Sequence, residues 1–306
     1  MRELFGSTGR AFAKINLGLR ICGKREDGYH ILDSIMQSIS LCDGVSLHCC
    51  QYERGESFSP VELTVTGEDS LPLDERNTAF SSAALFLAEA GLTHIGVRIH
   101  VDKVIPSQAG LGGASADAAA VFFLLHTAFP DTFSAGELLL LAGRIGADVP
   151  FCLKGGLCRC RGTGDILEPL PPFPPLPILL VKPPVGISTP WAYRRCDEIR
   201  SGGGSDSRQD RAYEQIFDGT PESLWQSAGL LYNDLEEAVR DEYPDIPDIR
   251  TFLEKNGARF AAMTGSGSCV FGVFSDESRR DLAYKKARTN FPSTFFTACC
   301  STVSIR

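Results

Sequence analysis

The chain lacks a long hydrophobic run. Its longest uninterrupted apolar stretch, Ala118–Leu125, has only eight residues, whereas a membrane-spanning helix needs about 20. The first residues, Met1–Gly6, also contain too few apolar side chains for the hydrophobic region of a signal peptide. We therefore expect no membrane segment and a cytoplasmic location.

An excess of basic residues is also missing. The 30 Lys and Arg residues are outnumbered by 38 Asp and Glu residues, which gives a formal net charge of -8. Proteins that bind nucleic acid generally present a broad basic surface, and the sequence has no Lys/Arg cluster of that size. We therefore expect no nucleic-acid partner, although an acidic chain can still contain a basic pocket.

The third absence concerns cysteine spacing. The chain has 11 cysteines, but no two of them are spaced as C-x-x-C. The nearest groupings are Cys49-Cys50, Cys158-Arg159-Cys160 and Cys299-Cys300. This spacing disfavours a zinc or iron–sulfur centre and favours reduced thiols that pack as small hydrophobic groups. The cysteine count leaves the choice between a monomer and a homodimer open.

A length of 306 residues favours two domains, because a single core rarely grows beyond about 250–300 residues. Strand and helix patterns mix without a regular β–α–β alternation, which predicts an α+β fold in both halves. Five of the eight residues in Leu170–Pro177 are proline, and prolines at this density exclude a helix or a central strand. This segment predicts a domain boundary, with domains at 1–169 and 170–306.

The same patterns predict several elements near the later motifs. A helix that begins at Ser134 is expected to end near Gly146, with Pro150 blocking its continuation. A single helix is expected from Pro221 towards Tyr243. The glycine- and serine-rich stretch Ser201–Asp210 has little to bury and predicts a mobile loop.

The strongest local signal is the glycine-rich stretch Pro106–Asp117, which lies between a predicted strand and a long predicted helix. Its glycines let the backbone approach a ligand closely, and the N-terminus of the following helix favours anions such as phosphate. The hydroxyl group of Ser115 could bind a phosphate or a metal ion. The stretch is neither a G-x-G-x-x-G motif nor a Walker A motif. A tight strand-to-helix turn without function is the alternative.

Four weaker signals are polar residues that interrupt a predicted strand or follow a predicted element. Each of them has a purely structural alternative. Lys14 and Asn16 share one face of a strand, which could simply face solvent. Asp148 is placed just past a helix end, where the helix dipole does not favour a carboxylate, so it points to a site or is a solvated loop residue. The stretches Gly28–His30 and Thr264–Ser268 are either polar contact points or ordinary turns.

The order of these motifs along the chain resembles that of the GHMP kinases. AKIN at residues 13–16, the PxxxGLGGAS loop, GADVP at 146–150 and GSGS at 265–268 occur in the family's order. The combination of GKREDGYH with GADVPF is similar to the branch of the family whose acceptor is a cytidine diphosphate-linked sugar alcohol. The similarity runs from about Ala11 to Phe274.

The resemblance implies a fold and an activity. The fold would have an N-terminal nucleotide-binding domain like ribosomal protein S5 and a C-terminal ferredoxin-like domain. The activity would be ATP- and Mg²⁺-dependent phosphorylation of a small-molecule alcohol at its 2-hydroxyl group. Two alternatives stay open: a GHMP kinase for another small alcohol, such as homoserine or a mevalonate derivative, and a non-catalytic ligand-binding protein of the same fold.

The resemblance also implies roles for particular residues. Lys14 and Asp148 match the catalytic lysine and the catalytic aspartate, and Asn16 would position the substrate or Lys14. The residues expected at the nucleotide are Asn77, Lys103, Pro106, Ala109, Gly110, Leu111, Gly112, Gly113, Ala114, Ser115 and Ala116, with Ser115 also a metal ligand. The residues expected at the acceptor are Asn16, Tyr29, His30, Asp148, Thr189, Tyr193, Gly265, Ser266 and Gly267.

The phosphate loop departs from the family pattern at three positions. Ala109 and Ala114 stand where glycine is usual, and alanine narrows the range of loop conformations. Ala116 stands where serine is usual, so a hydroxyl contact with phosphate or metal is expected to be lost there.

Overall fold

A computed structural model describes residues 2–53, 58–201 and 217–304. The strands of these residues are β1 (Arg2–Lys24), β2 (His30–Gln51), β3 (Val61–Thr66), β4 (Ile95–Asp102), β5 (Leu157–Gly162), β6 (Ile166–Pro169), β7 (Pro177–Lys182), β8 (Phe260–Met263), β9 (Val270–Val273) and β10 (Phe296–Ser301). The helices are α1 (Thr78–Glu89), α2 (Gly113–Ala128), α3 (Ala135–Gly143), α4 (Val149–Lys154), α5 (Thr189–Ser201), α6 (Pro221–Ser227), α7 (Asp234–Val239), α8 (Asp245–Lys255) and α9 (Glu277–Asn290).

The chain forms two compact units that are not consecutive in sequence. Unit 1 contains residues 1–13, 42–105 and 112–154, and unit 2 contains residues 14–41, 106–111 and 155–306. The long strands β1 and β2 each have residues in both units. The boundary predicted between residues 169 and 170 falls within unit 2, and the two domains at 1–169 and 170–306 stay a prediction.

In the described residues, unit 1 contains the first part of β1, the end of β2 that pairs with β1, strands β3 and β4, and helices α1 to α4. The end of β2 pairs antiparallel with β4, and β3 pairs parallel with β4. A parallel pair needs a crossover connection, and α1 provides it and packs on both strands. Helix α2 packs against α1, α3 and α4, and Phe86, Phe122 and Phe151 are fully buried in this unit.

Unit 2 contains a four-stranded antiparallel sheet in the order β10-β7-β9-β8. Numbered within this sheet alone, the order is 4-1-3-2, with helices between the first and second strands and between the third and fourth. Helices α8 and α9 pack on it. This is the ferredoxin-like β-α-β-β-α-β arrangement, and the prediction of that fold for the C-terminal half is confirmed. The first half of β2 forms a separate antiparallel ladder with β5 and β6.

The observed helices differ from the predicted ones in three places. The helix predicted from Ser134 is α3 and ends at Gly143, and Pro150 lies in the first turn of a further helix, α4, where a proline is tolerated because that N–H has no intrahelical partner. The helix expected from Pro221 to Tyr243 is two helices, because the side chain of Asn233 starts α7 by accepting a hydrogen bond from the Leu235 N–H. The sequence patterns missed α5 altogether.

Two further expectations concern a membrane-spanning helix and the loop at Ser201–Asp210. In the described residues, no helix is both long enough and apolar enough to cross a bilayer. The loop predicted at Ser201–Asp210 lies, from residue 202 onwards, outside the described residues.

Candidate active site

Lys14 is a buried lysine on β1 in unit 2, with only 4% of its surface exposed. Its Nζ donates a hydrogen bond to Oδ1 of Asn16 at 2.7 Å. Asn16 is also buried, and its Nδ2 donates to Oγ of Ser34 on β2 at 2.8 Å. The polar face of β1 is therefore turned into the protein, and the alternative of a solvent-facing strand is wrong.

The turn between β8 and β9 completes this network. Oγ1 of Thr264 accepts a hydrogen bond from the Asn16 N–H at 3.0 Å and donates to the Gly110 carbonyl at 3.1 Å. Nδ2 of Asn233 donates to the carbonyls of Met263 and Gly265 at 2.9 and 2.8 Å. The predicted Thr264–Ser268 turn is thus a hairpin loop, and its hydrogen bonds link it to the strand that carries Lys14.

The first half of the glycine-rich stretch, Pro106–Leu111, packs directly on that turn within unit 2. Gly110 has φ 74°, and a Cβ atom there would lie 2.0 Å from the Thr264 carbonyl oxygen. Only glycine fits this position. The side chains of Ala109 and Leu111 are buried, so only the backbone of these two residues can meet a nucleotide.

The second half of the stretch forms the start of α2 in unit 1. Gly112 is the N-cap with φ 71°, and no side chain of the described residues caps the helix. The first intrahelical bond runs from the Ala116 N–H to the Gly112 carbonyl, so the N–H groups of Gly113, Ala114 and Ser115 have no partner within α2. Such an end favours an anion.

Ala116 is 2% exposed. The loss of a hydroxyl contact with phosphate or metal at this position stays a prediction. Ser115, which is partly exposed, keeps its place as the hydroxyl nearest the free N–H groups.

Asn77 and Lys103 are both committed to contacts inside unit 1. Oδ1 of Asn77 accepts from the Ala79 N–H at the start of α1, and Nδ2 donates to the Pro72 carbonyl. Nζ of Lys103 donates to Asp43 at 2.5 Å and to Asp117 at 2.7 Å. Their contacts with adenosine stay predictions, and the structure gives each residue a task in the fold.

The Lys103 cluster has two carboxyl groups for one ammonium group. Asp43 also accepts the N–H groups of Val104 and Ile105, whereas Oδ1 of Asp117 is buried without a hydrogen bond to the described residues. Burial raises the pKa of Asp117 to about 7; Lys103 opposes this shift and the nearby Asp43 adds to it. Desolvation therefore outweighs the ion pair with Lys103, and the second carboxyl group, that of Asp43, adds to the rise in the pKa of Asp117.

Asp148 directly precedes α4 in unit 1, and the Cys152 N–H donates to its carbonyl at 3.0 Å. Asp148 follows the end of α3 at Gly143, as expected, but it also stands directly before a new helix that starts at Val149. A carboxylate is stabilised at a helix N-terminus, so the dipole argument that set this residue apart does not apply. Its side chain is partly exposed.

The predicted base-binding residues lie close together in unit 2. The rings of His30 and Tyr193 stack with centroids 4.7 Å apart, and Nε2 of His30 is 2.8 Å from Oδ1 of Asp197. Tyr29, next to His30, is 66% exposed. Thr189, Tyr193 and Asp197 follow at intervals of four along α5 and so share one face of that helix.

Thr189 connects this helix to the glycine turn. Its Oγ1 lies 2.8 Å from Oγ of Ser266, and both residues were expected near the acceptor. Gly265 and Gly267 have φ values of 55° and 87°, a range that favours glycine.

Comparison with known proteins gives matches over nearly the whole chain. The model of the GHMP kinases N terminal domain matches residues 77–156, and that of the GHMP kinases C terminal domain matches residues 213–293. A 4-diphosphocytidyl-2-C-methyl-D-erythritol kinase of Desulfitobacterium hafniense is 42% identical over 89% of this chain and 88% of its own length. The kinase of that name from Pelotomaculum thermopropionicum is 39% identical over 92% of this chain and 94% of its own length.

The chain belongs to the GHMP kinase family, in the group of the 4-diphosphocytidyl-2-C-methyl-D-erythritol kinases. This GHMP kinase is a phosphotransferase that acts on a small molecule, and ATP is its phosphoryl donor. A crystal structure of 4-(cytidine 5'-diphospho)-2C-methyl-D-erythritol kinase is similar at a TM-score of 0.76 and 30% identity, covering 97% of this chain and 100% of that chain. The crystal structure of L. major mevalonate kinase has a TM-score of 0.74 and 17% sequence identity, and the match covers 97% of this chain and 96% of that chain. This likeness shows a shared fold.

Several residues of these networks escaped the sequence analysis. Asn233 and Asp43 lie far along the chain from the residues they hold, and no local motif marks them. Thr264 lies in the predicted Thr264–Ser268 turn, but no sequence signal predicts its hydrogen bonds to Asn16 and Gly110. The four-residue spacing of Thr189, Tyr193 and Asp197 was a readable helical signal that could have revealed both α5 and Asp197.

Proposed function

We propose that this GHMP kinase transfers the γ-phosphoryl group of ATP to the 2-hydroxyl group of 4-diphosphocytidyl-2-C-methyl-D-erythritol, a step of non-mevalonate isoprenoid precursor synthesis. The observation that carries the proposal is identity of 42% and 39% to kinases of that name over about nine-tenths of the chain. Two features of the structure support it. The buried Lys14 network suits a reaction in which negative charge develops, and the His30–Tyr193 ring pair suits the binding of a planar base.

Lys14 and Asp148 have complementary tasks in this proposal. Asp148 accepts the proton of the 2-hydroxyl group as the oxygen attacks. The ammonium group of Lys14 stabilises the negative charge that develops on the attacking oxygen and the transferred phosphoryl group. Asn16, Ser34 and Thr264 hold Lys14 in one position, so little rearrangement is needed when the charge develops.

The start of α2 binds the phosphates of ATP through the N–H groups of Gly113, Ala114 and Ser115. Mg²⁺ fits this place, because the ion usually keeps one or two protein oxygens and takes its other ligands from phosphate and water. Ser115 offers a partly exposed hydroxyl there. When bound, Mg²⁺ neutralises charge on the phosphates, and Ser115 would hold it.

The acceptor's base lies against the rings of Tyr29, His30 and Tyr193 in this proposal. Aromatic rings bind a planar base by stacking, and an imidazole adds a directed hydrogen bond. Thr189 and the Gly265–Ser268 turn are placed near the rest of the acceptor.

The test measures ADP release by the purified protein with ATP, Mg²⁺ and 4-diphosphocytidyl-2-C-methyl-D-erythritol. Asp148→Asn is expected to keep ATP binding and to lose turnover by about a thousandfold or more. Asp276→Asn serves as the matched control, since Asp276 is also an aspartate at a helix N-terminus and has no proposed role in the reaction.

Near-normal turnover by Asp148→Asn would remove Asp148 as the general base. Absence of turnover in the unaltered protein, with ATP still bound, would remove the proposed acceptor. Homoserine and mevalonate, tested in parallel, would then show whether another alcohol accepts the phosphoryl group.

A further inference from the structure

The ring of His30 uses its two nitrogens differently. Nε2 lies 2.8 Å from Oδ1 of Asp197. Nδ1 makes no hydrogen bond within the part of the chain that the structure describes, and it is not among the buried polar atoms without a partner. Tyr193 covers one face of the ring. One ring edge of His30 is therefore held by the protein, and the other is accessible to a ligand.

Asp197 has two donors for its two oxygens. His30 Nε2 approaches Oδ1, and Nζ of Lys24 donates to Oδ2 at 2.7 Å. Partial burial acts to raise the pKa of Asp197, but the hydrogen bonds from Lys24 and His30 outweigh it and hold the pKa below its usual range. An ionised carboxylate only accepts hydrogen bonds, so Nε2 must carry a hydrogen. In the neutral ring Nδ1 then has a free lone pair.

We propose that Asp197 is a positioning residue that sets base specificity, because it fixes the tautomer in which Nδ1 of His30 accepts a hydrogen bond from the exocyclic amino group of cytosine. This inference rests on the proposed function, which requires a cytidyl group. In a cytosine nucleoside the exocyclic amino group is the only N–H donor of the base, whereas uracil presents a carbonyl oxygen at that place. An accepting Nδ1 therefore attracts cytosine and repels uracil.

Because Lys24 shares the carboxylate of Asp197 with His30, the proposal predicts a tautomer change in Asp197→Asn. In Asp197→Asn, the single amide oxygen cannot accept from both Lys24 and His30. The ammonium group of Lys24 can only donate hydrogen bonds and takes that oxygen, and the amide NH₂ group then faces Nε2. His30 responds by moving its hydrogen to Nδ1, which becomes a donor and suits the uracil carbonyl.

The first experiment compares the affinities for CDP and UDP by titration calorimetry at neutral pH. The unaltered protein is expected to prefer CDP. Asp197→Asn is expected to reduce the CDP-to-UDP preference by about tenfold to a hundredfold, the range for one hydrogen bond and the mispairing that replaces it. Lys24→Met keeps the carboxylate on His30 and is expected to keep the preference within about threefold.

The double variant Lys24→Met/Asp197→Asn is the decisive control. Without Lys24, the amide oxygen is available to the His30 Nε2–H, and at least half of the lost preference, on a logarithmic scale, is expected to return. A merely structural role for Asp197 predicts instead that the double variant is no better than the single one.

The second experiment reads the tautomer directly by ¹⁵N NMR of the histidine ring nitrogens, assigned with His30→Gln. The hydrogen is expected on Nε2 in the unaltered protein and on Nδ1 in Asp197→Asn. A doubly protonated ring in the unaltered protein, or an unchanged CDP-to-UDP preference in Asp197→Asn, would overturn the inference and leave the proposed function intact. Equal affinity of the unaltered protein for CDP and UDP would overturn both.

Discussion

Two buried lysines of this kinase, Lys14 and Lys103, were both expected at the ligands, yet they have different partners. Lys14 in unit 2 donates to an amide oxygen of Asn16. Lys103 in unit 1 donates to the two carboxyl groups of Asp43 and Asp117. An amide oxygen orients an ammonium group without itself carrying a charge, whereas each ionised carboxylate also brings a negative charge.

The comparison separates a lysine suited to chemistry from one suited to the fold. Desolvation lowers the pKa of Lys103, but the pair of aspartates outweighs it and the pKa is raised, so the ammonium group stays charged and bound within its cluster. Removing one partner of a buried ion pair leaves a costly unpaired charge. Lys103 should therefore matter mainly for stability, and Lys14 mainly for the rate of phosphoryl transfer.

The largest expected effect comes from Lys14→Met. Turnover should fall by about a thousandfold or more, because the transition state loses a preorganised positive charge. Affinity for ATP should change far less. Steady-state kinetics together with ATP titration measures both quantities. A parallel loss of ATP affinity and kcat would mean that Lys14 mainly binds the nucleotide, and the contrast with Lys103 would then fail.

The next effect comes from Lys103→Met. Two aspartates would share a buried site without a cation, and the free energy of unfolding should fall by about 3–5 kcal/mol. Urea unfolding measures this loss. Lys103→Met combined with Asp117→Asn has one fewer buried carboxylate and should recover part of it. A raised KM for ATP without loss of stability would instead support the predicted contact with adenosine.

The order of motifs in the sequence was enough to predict the family fold and the Lys14–Asn16 strand. Local signals also predicted the helix that begins at Ser134, whose side chain caps α3. The partners of these residues were not predictable in the same way. Asn16 meets Thr264 across 248 positions of sequence, and only tertiary folding determines such a contact.

The role of a residue is harder to predict from sequence where one residue type serves two purposes. Asn77 is both a plausible ligand contact and a favourable N-cap, and the structure uses its side chain as the cap of α1. The sequence marks Asp148 as following the end of a helix, whereas the structure also places it directly before α4. Both cases turn on helix ends, whose positions a sequence indicates only approximately.

The smallest expected effect sharpens the comparison at Asp117. Burial raises the pKa of Asp117 from 3.8 to about 7. Between pH values of about 4 and 7, the folded state therefore keeps a proton on Asp117 that the unfolded state has released. The free energy of unfolding should therefore fall as pH rises from about 4 to about 7 and then level off. Asp117→Asn cannot titrate, so it should lose this part of the slope and gain stability relative to the unaltered protein at pH 8.

Urea unfolding at pH 5, 6, 7 and 8 tests this sign. Asp276→Asn is the matched control, because the N–H of Arg279 and the hydroxyl of Ser275 hold the pKa of Asp276 below its usual range. That carboxylate has finished titrating at pH 5, so its removal should leave the slope unchanged. If the slope of the unaltered protein persists in Asp117→Asn, another group titrates in this range and Asp117 is not the source of the slope.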